Sequence, residues 1–164
     1  MSVVGLGFRL FYEWAARNRS YARLLQAFDK NEAVTHERMI QAASNTFNRS
    51  RAVHVIGIER WAANRLRVLL GEPLIMDEYD GYAPSEHLSM EELAAEFKQT
   101  RATTTALVHE LQGRGIPLSA KVKHNEAGDL SLGGWLFYIE NHTGRETAIL
   151  TPGSGKKARQ AASS

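Results

Sequence analysis

The sequence predicts an all-α protein built on a four-helix bundle with one long crossover connection. Three observations predict it. Four long segments place apolar residues at helical spacing, the connections between them differ in length, and no strand pattern of comparable length competes. The 164 residues suffice for one domain with a sizeable core. We expect a helical lead-in over residues 1–19, the bundle over 20–152 and a flexible tail over 153–164.

The four predicted helices carry recognisable start and stop signals. They cover about residues 20–46, 50–70, 89–113 and 130–150. In "SMEE", Ser89 and Glu92 have the spacing of a capping box, in which each side chain bonds a backbone N–H of the first turn. Gly113 stands where a terminating glycine is expected, and "TPG" ends the last helix.

The connections restrict how the helices are arranged. The short link around "NRS" predicts that the first two long helices pack as antiparallel neighbours. The segment "EPLIMDEYDGYAPSEHL" is long enough to run the length of a bundle, which predicts the crossover. Before the last helix, "SAKVKHNEAGDLSL" can hold a short hairpin that turns near Gly128.

Composition excludes several classes of function. The chain has no cysteine, which removes disulfides, thiolate zinc sites and cysteine nucleophiles, so any metal must be bound by His, Asp or Glu. It has no phosphate-binding loop, no nucleophile elbow and no apolar stretch of membrane-spanning length. The apolar start lacks the basic segment of a secretory leader, so we expect a cytoplasmic protein without a membrane partner.

The chain has only a small excess of basic charge. The net charge is only +2, and part of the excess lies in the tail "GSGKKARQAASS". We therefore expect no nucleic-acid partner. The alternative is nucleic-acid association through this tail, which a tail deletion and the salt dependence of binding would reveal.

Two core-facing stripes carry chemistry. On the last helix one face holds four apolar residues together with His142 and Glu146, which lie one turn apart. On the second long helix, His54 begins a stripe that is otherwise apolar. Facing helices of a bundle often assemble metal sites in this way. These three side chains would give three ligands and leave a position open for water or substrate.

Other interpretations of these polar residues stay open. A core histidine is often simply hydrogen-bonded, and a His–Glu pair one turn apart can be a partly buried ion pair. Glu32 and His36 on the first long helix have the same spacing and form a rival pair, although charged neighbours place them at a solvated flank. The remaining histidines, which polar residues flank and which we expect to be exposed, are His87, His109 and His124.

Three segments resemble helices of the DinB-like (DinB/YfiT) family. "AVHVIGIERWAANRLRVLLG" looks like its second helix, "SMEELAAEFKQTRATTTALVHELQ" its third and "SLGGWLFYIENHTGRETAIL" its fourth. The resemblance implies a left-handed four-helix bundle whose histidine triad holds a divalent ion (Zn, Ni, Fe or Mn). By position His54 matches the first ligand and His142 the second, while Glu146 stands where the third histidine is expected. Carboxylate is a competent ligand for these ions. The alternative is that this chain has lost the metal together with its third histidine.

The resemblance also implies a function, and the residues leave one alternative. Such proteins include metal-dependent thiol transferases and isomerases, so we expect a transferase, isomerase or hydrolase acting on a small thiol or another small molecule. The alternative is a non-catalytic, stress- or damage-associated bundle whose polar core residues are structural. A homodimer is expected in both cases, because aromatic residues of the N-terminal segment need to be covered; they are Phe8, Phe11, Tyr12 and Trp14.

Overall fold

A computed structural model describes residues 3–153 and shows a mostly helical chain with one small hairpin. Within these residues there are five α-helices: α1 (Val3–Ala16), α2 (Tyr21–Gln41), α3 (Thr46–Leu66), α4 (Met90–Gly113) and α5 (Leu132–Ala148). Strands β1 (Lys121–His124) and β2 (Gly128–Ser131) pair antiparallel. Two 3-10 helices, Arg67–Leu70 and Tyr79–Tyr82, lie between α3 and α4. The predominantly helical class and the short hairpin are as predicted. The predicted tail lies outside the described residues, apart from Gly153.

Capping residues fix the starts of the four long helices. Ser20, Asn45, Ser89 and Ser131 each accept a hydrogen bond from a backbone N–H of the first turn. At Ser89 the predicted capping box with Glu92 is complete.

The predicted terminator of the third long helix is displaced by two residues. Gly113 is the last helical residue of α4, and Gly115 has the left-handed backbone conformation, with φ of 71°. The N–H groups of Gly115 and Ile116 donate to the carbonyls of Gln112 and Leu111, which is the Schellman pattern. Glycine is needed at 115 because side chains disfavour positive φ.

Helices α2 and α3 each pack against both α4 and α5. The predicted close pairing of the first two long helices is therefore wrong, since α4 and α5 rather than each other are their main packing partners. The buried apolar side chains form two clusters, and the larger one also includes residues of α1 and the hairpin. Trp61 and Trp135 belong to the larger cluster as packing residues. The Trp135 indole N–H donates to the Val122 carbonyl, so α5 is also fixed to the hairpin.

The crossover between α3 and α4 is held down by a buried arginine. The Arg65 guanidinium donates to the carbonyl and carboxylate oxygens of Asp77, to the Lys123 carbonyl and to the Asn125 side chain. It thereby joins α3, the crossover and the hairpin. Gly57 permits the close approach, because a Cβ there would lie 3.3 Å from the Ala83 backbone.

The N-terminal segment forms α1 and packs against α5 and β2. Tyr12 is buried and Phe8 is half-buried in this contact. The other side of α1 is apolar but exposed: Leu10 is 59% exposed, Phe11 47% and Trp14 74%. None of the described helices combines the length and hydropathy that a membrane crossing requires.

Candidate metal-binding site

Helices α3 and α5 bring two histidines side by side. The His54 and His142 rings have centroids 5.1 Å apart and planes inclined at 61°. Tyr79 of the crossover contacts His54 edge-on at 5.0 Å, and Tyr138, one turn before His142 on α5, lies 5.6 Å from that ring. Two imidazoles from different helices therefore lie side by side, each in contact with a tyrosine ring.

Both imidazoles are neutral near pH 7. Burial lowers the pKa of His142 to about 4, with a further lowering by His54 and a partial offset by Glu146. Burial also lowers the pKa of His54, again with Glu146 acting in the opposite direction. A neutral imidazole keeps one nitrogen lone pair, which is the form that binds a metal ion.

One nitrogen of the pair has no partner. His142 Nδ1 is buried and makes no hydrogen bond. Leaving a buried polar atom unpaired costs about 1–3 kcal/mol, so such atoms are rare and call for a physical explanation. An unpaired imidazole nitrogen beside a second imidazole is an arrangement that a transition-metal ion would satisfy.

The third predicted ligand is bound elsewhere. Glu146 Oε2 accepts a hydrogen bond from Arg51 Nη1 at 2.6 Å, in a partly exposed ion pair. Within residues 3–153, no three His, Asp or Glu side chains are grouped closely enough to hold a metal ion. The structure therefore brings two of the three predicted ligands side by side, while the third is paired with Arg51.

A cleft of about 430 Å³ opens beside His142, between α1 and α5. Three of its residues, Tyr138, His142 and Glu146, follow one face of α5 at four-residue spacing. Burial raises the pKa of the Tyr138 phenol, which stays protonated. The cleft gives His142 an approach for small molecules from outside the core. Its lining residues are Phe8, Phe11, Tyr12, Tyr138, His142, Arg145 and Glu146.

The other histidines divide into exposed and buried ones. His87 and His109 are exposed, as predicted. The prediction that His124 is exposed is wrong: it is 7% exposed, and its Nδ1 accepts from the N–H groups of Glu126 and Ala127. The sequence signal was the alternation of "KVKH", which puts His124 on the same strand face as the buried Val122.

The rival pair is not part of this site. Glu32 and His36 are half-buried on α2, and no hydrogen bond, ion pair or ring contact in the described part of the chain joins them to His54 or His142.

The largest polar feature of the core is an ion pair that spacing analysis did not identify. Arg101 Nε and Nη2 donate to the two carboxylate oxygens of Glu59, both at 2.8 Å, with both side chains almost fully buried. Glu59 interrupts an apolar stripe of α3, and Arg101 lies on the buried face of α4. Two opposite charges at such positions on facing helices were the available signal.

Comparisons with known proteins find no relative. No protein-family model, curated protein or solved structure matches this chain.

Proposed function

We propose that this chain is a DinB-like four-helix bundle protein that binds one divalent transition-metal ion through His54 and His142. Glu146 is the third ligand, recruited when it separates from Arg51. The observation that carries the proposal is the buried, unpartnered Nδ1 of His142 beside a second neutral imidazole. The packing of α2 and α3 against both α4 and α5 supports the bundle, since it places four long helices in mutual contact.

The arrangement supports catalysis on a small molecule as a metal-dependent transferase, isomerase or hydrolase. A divalent ion held by His54 and His142 would lower the pKa of a coordinated water or thiol and so favour its anionic, nucleophilic form. The protein supplies two imidazoles whose pKa values burial lowers, and an open, partly aromatic cleft on the α1 side. The Arg51–Glu146 ion pair keeps the carboxylate at the edge of this site.

Metal analysis of the full chain, purified without a polyhistidine tag, tests the proposal. We expect about one equivalent of Zn, Ni, Fe or Mn per chain, lost in both His54→Ala and His142→Ala. The exposed His109→Ala is the matched control and keeps the metal. Absence of metal after incubation with all four ions would refute the proposal.

A separate experiment tests whether Glu146 leaves Arg51 to bind the metal ion. Replacing Arg51 with Gln removes the competing cation, so metal affinity should rise, whereas Glu146→Gln should lower it. Equal affinities in these two variants would show that Glu146 is not a ligand.

A second candidate function is a non-catalytic homodimeric bundle. The observation that favours it is the satisfied ion pair of Glu146 with Arg51, which gives that carboxylate a structural role. The exposed face of α1, formed by Leu10, Phe11 and Trp14, supports the dimer, because exposed apolar surface of this kind is often covered by a partner. Sedimentation should then show a dimer that Trp14→Ser dissociates, and a concentration-independent monomer would contradict it.

A further inference from the structure

The cleft between α1 and α5 contains a cation without a carboxylate partner. Arg145 is exposed on α5 and forms no ion pair within the described part of the chain. Arg145 and Tyr12 both line this cleft. We propose that this cleft binds a small organic anion with an apolar body. The anionic group lies at Arg145 and the body against Phe8 and Phe11.

The charges of the cleft favour an anion. Among the residues that line the cleft, Arg145 carries a positive charge. The cleft has one carboxylate, Glu146, and Arg51 neutralises it. Arg145 therefore leaves an excess positive charge. A planar guanidinium binds carboxylates through paired N–H groups, which adds directional preference to attraction.

The walls favour an apolar body of aromatic size. Phe8 lies 4.5 Å from the Tyr12 ring and 5.3 Å from the Tyr138 ring, so three aromatic rings form a continuous wall. Phe11 contacts Tyr12 at 5.0 Å and remains 47% exposed. A cleft of about 430 Å³ is within the size range of small-molecule sites, which are typically apolar with a few placed polar groups.

This inference deepens the proposed function, because it names the class of ligand for the cleft that reaches the proposed metal ligand His142. It does not need the metal for binding. The contacts that it uses come from Arg145 and the α1 aromatic residues, which are not among the proposed ligands.

Calorimetric titration of the full chain in the presence of a chelator tests the inference. The probes are phenylacetate, the matched cation phenylethylamine and the neutral benzyl alcohol. We expect phenylacetate to bind with a dissociation constant below about 1 mM and at least tenfold more tightly than the other two. Equal binding of the three probes, or no binding of phenylacetate, would overturn the inference.

Amino-acid substitutions test whether the anionic group of phenylacetate binds at Arg145. Arg145→Gln should weaken phenylacetate binding at least tenfold, and Arg23→Gln, the same charge change at an exposed position of α2, should not. Phe11→Ser should weaken phenylacetate and benzyl alcohol alike, because it removes apolar wall rather than charge. If phenylacetate binds Arg145→Gln as tightly as the native chain, the site is elsewhere and the inference fails.

The two proposals fail separately. Because the titration is run without metal, failure of phenylacetate to bind leaves the metal proposal standing. Failure of metal uptake, with phenylacetate still bound in the native chain and lost in Arg145→Gln, refutes the metal site and supports the anion cleft.

Discussion

Two polar clusters in this protein are built alike but differ in how completely their polar atoms are partnered. Glu59 and Arg101 face each other from α3 and α4, and His54 and His142 from α3 and α5. In the first cluster the carboxylate accepts two hydrogen bonds, and the guanidinium also donates to the Phe28 carbonyl and the Thr143 hydroxyl. In the second, a buried nitrogen of His142 has no partner.

The difference separates a structural cluster from a candidate binding site. Arg101 contacts residues of α2, α3 and α5 from its own helix α4, and its guanidinium lies 4.5 Å from the Phe28 ring. Such a network fixes how four helices meet and leaves no atom free for a ligand. The histidine pair has an atom available and a cleft beside it. The two clusters therefore differ in whether every buried polar atom has a hydrogen-bond partner.

The largest expected effect comes from breaking the satisfied cluster. Glu59→Gln leaves the buried Arg101 charge uncompensated, and removal of one partner of a buried pair typically costs about 3–5 kcal/mol. The free energy of unfolding, measured by urea denaturation, should fall by about that amount. Arg101→Met should have an effect of similar size, and the double variant Glu59→Met/Arg101→Met should recover part of the loss, since no charge is left unpaired.

The matched control for this prediction lies on α4, the helix of Arg101. Glu110 of α4 forms an exposed ion pair with Arg114, the residue that follows the helix, so Glu110→Gln should cost no more than about 0.5 kcal/mol. A loss below about 1 kcal/mol in Glu59→Gln would show that the buried pair is not a structural anchor.

The next largest expected effect is a loss of folding stability at acid pH, caused by His124. Burial, with the nearby charge of Arg65, lowers the pKa of His124 from 6.5 to about 4. Between these values the unfolded chain takes up a proton that the folded chain does not. The stability that the neutral His124 ring contributes is therefore fully present above pH 6.5. It is lost as the pH drops, and the loss reaches about 3 kcal/mol once the pH is below 4. Thermal unfolding between pH 7 and pH 4 measures this slope.

His124→Gln separates this contribution from other sources of acid sensitivity. The variant should show a shallower dependence of unfolding temperature on pH, and the exposed His109→Gln should keep the native slope. An unchanged slope in His124→Gln would mean that this ring does not titrate differently on unfolding. Some slope should remain, because the pKa of His142 is also lowered to about 4.

Local patterns predicted the helices well but predicted polar partners poorly. Capping residues such as Ser89 act within a few residues, so the start of α4 could be read from four letters of sequence. The Glu59–Arg101 pair depends on how α3 and α4 face each other, which no local spacing encodes. His124 was misjudged because its charged neighbours outweighed the alternation of a four-residue strand.

At the candidate site, too, the sequence predicted which residues lie on a core-facing stripe but not which polar partners they have. The spacing of His142 and Glu146 on α5 was predictable, and His54 was recognisable as a polar residue on an apolar stripe. That Glu146 would bind Arg51 required one further step: Arg51 precedes His54 by three residues and shares its face of α3. The packing of α3 against α5 that brings His54 to His142 therefore also brings Arg51 to Glu146.

The smallest expected effect is the most direct test of the comparison, because it concerns the unsatisfied atom itself. His142→Leu removes the unpartnered Nδ1 and keeps an apolar side chain in its place, so it should leave stability unchanged or raise it by up to about 1 kcal/mol. Thermal unfolding in a chelator measures this, with a shift of roughly 2–4 °C per kcal/mol. Added metal should then raise the unfolding temperature of the native chain but not that of the variant, since only the native chain binds it. A loss of more than about 1 kcal/mol in the chelator would instead show that this ring stabilises the fold, as Glu59 and Arg101 do.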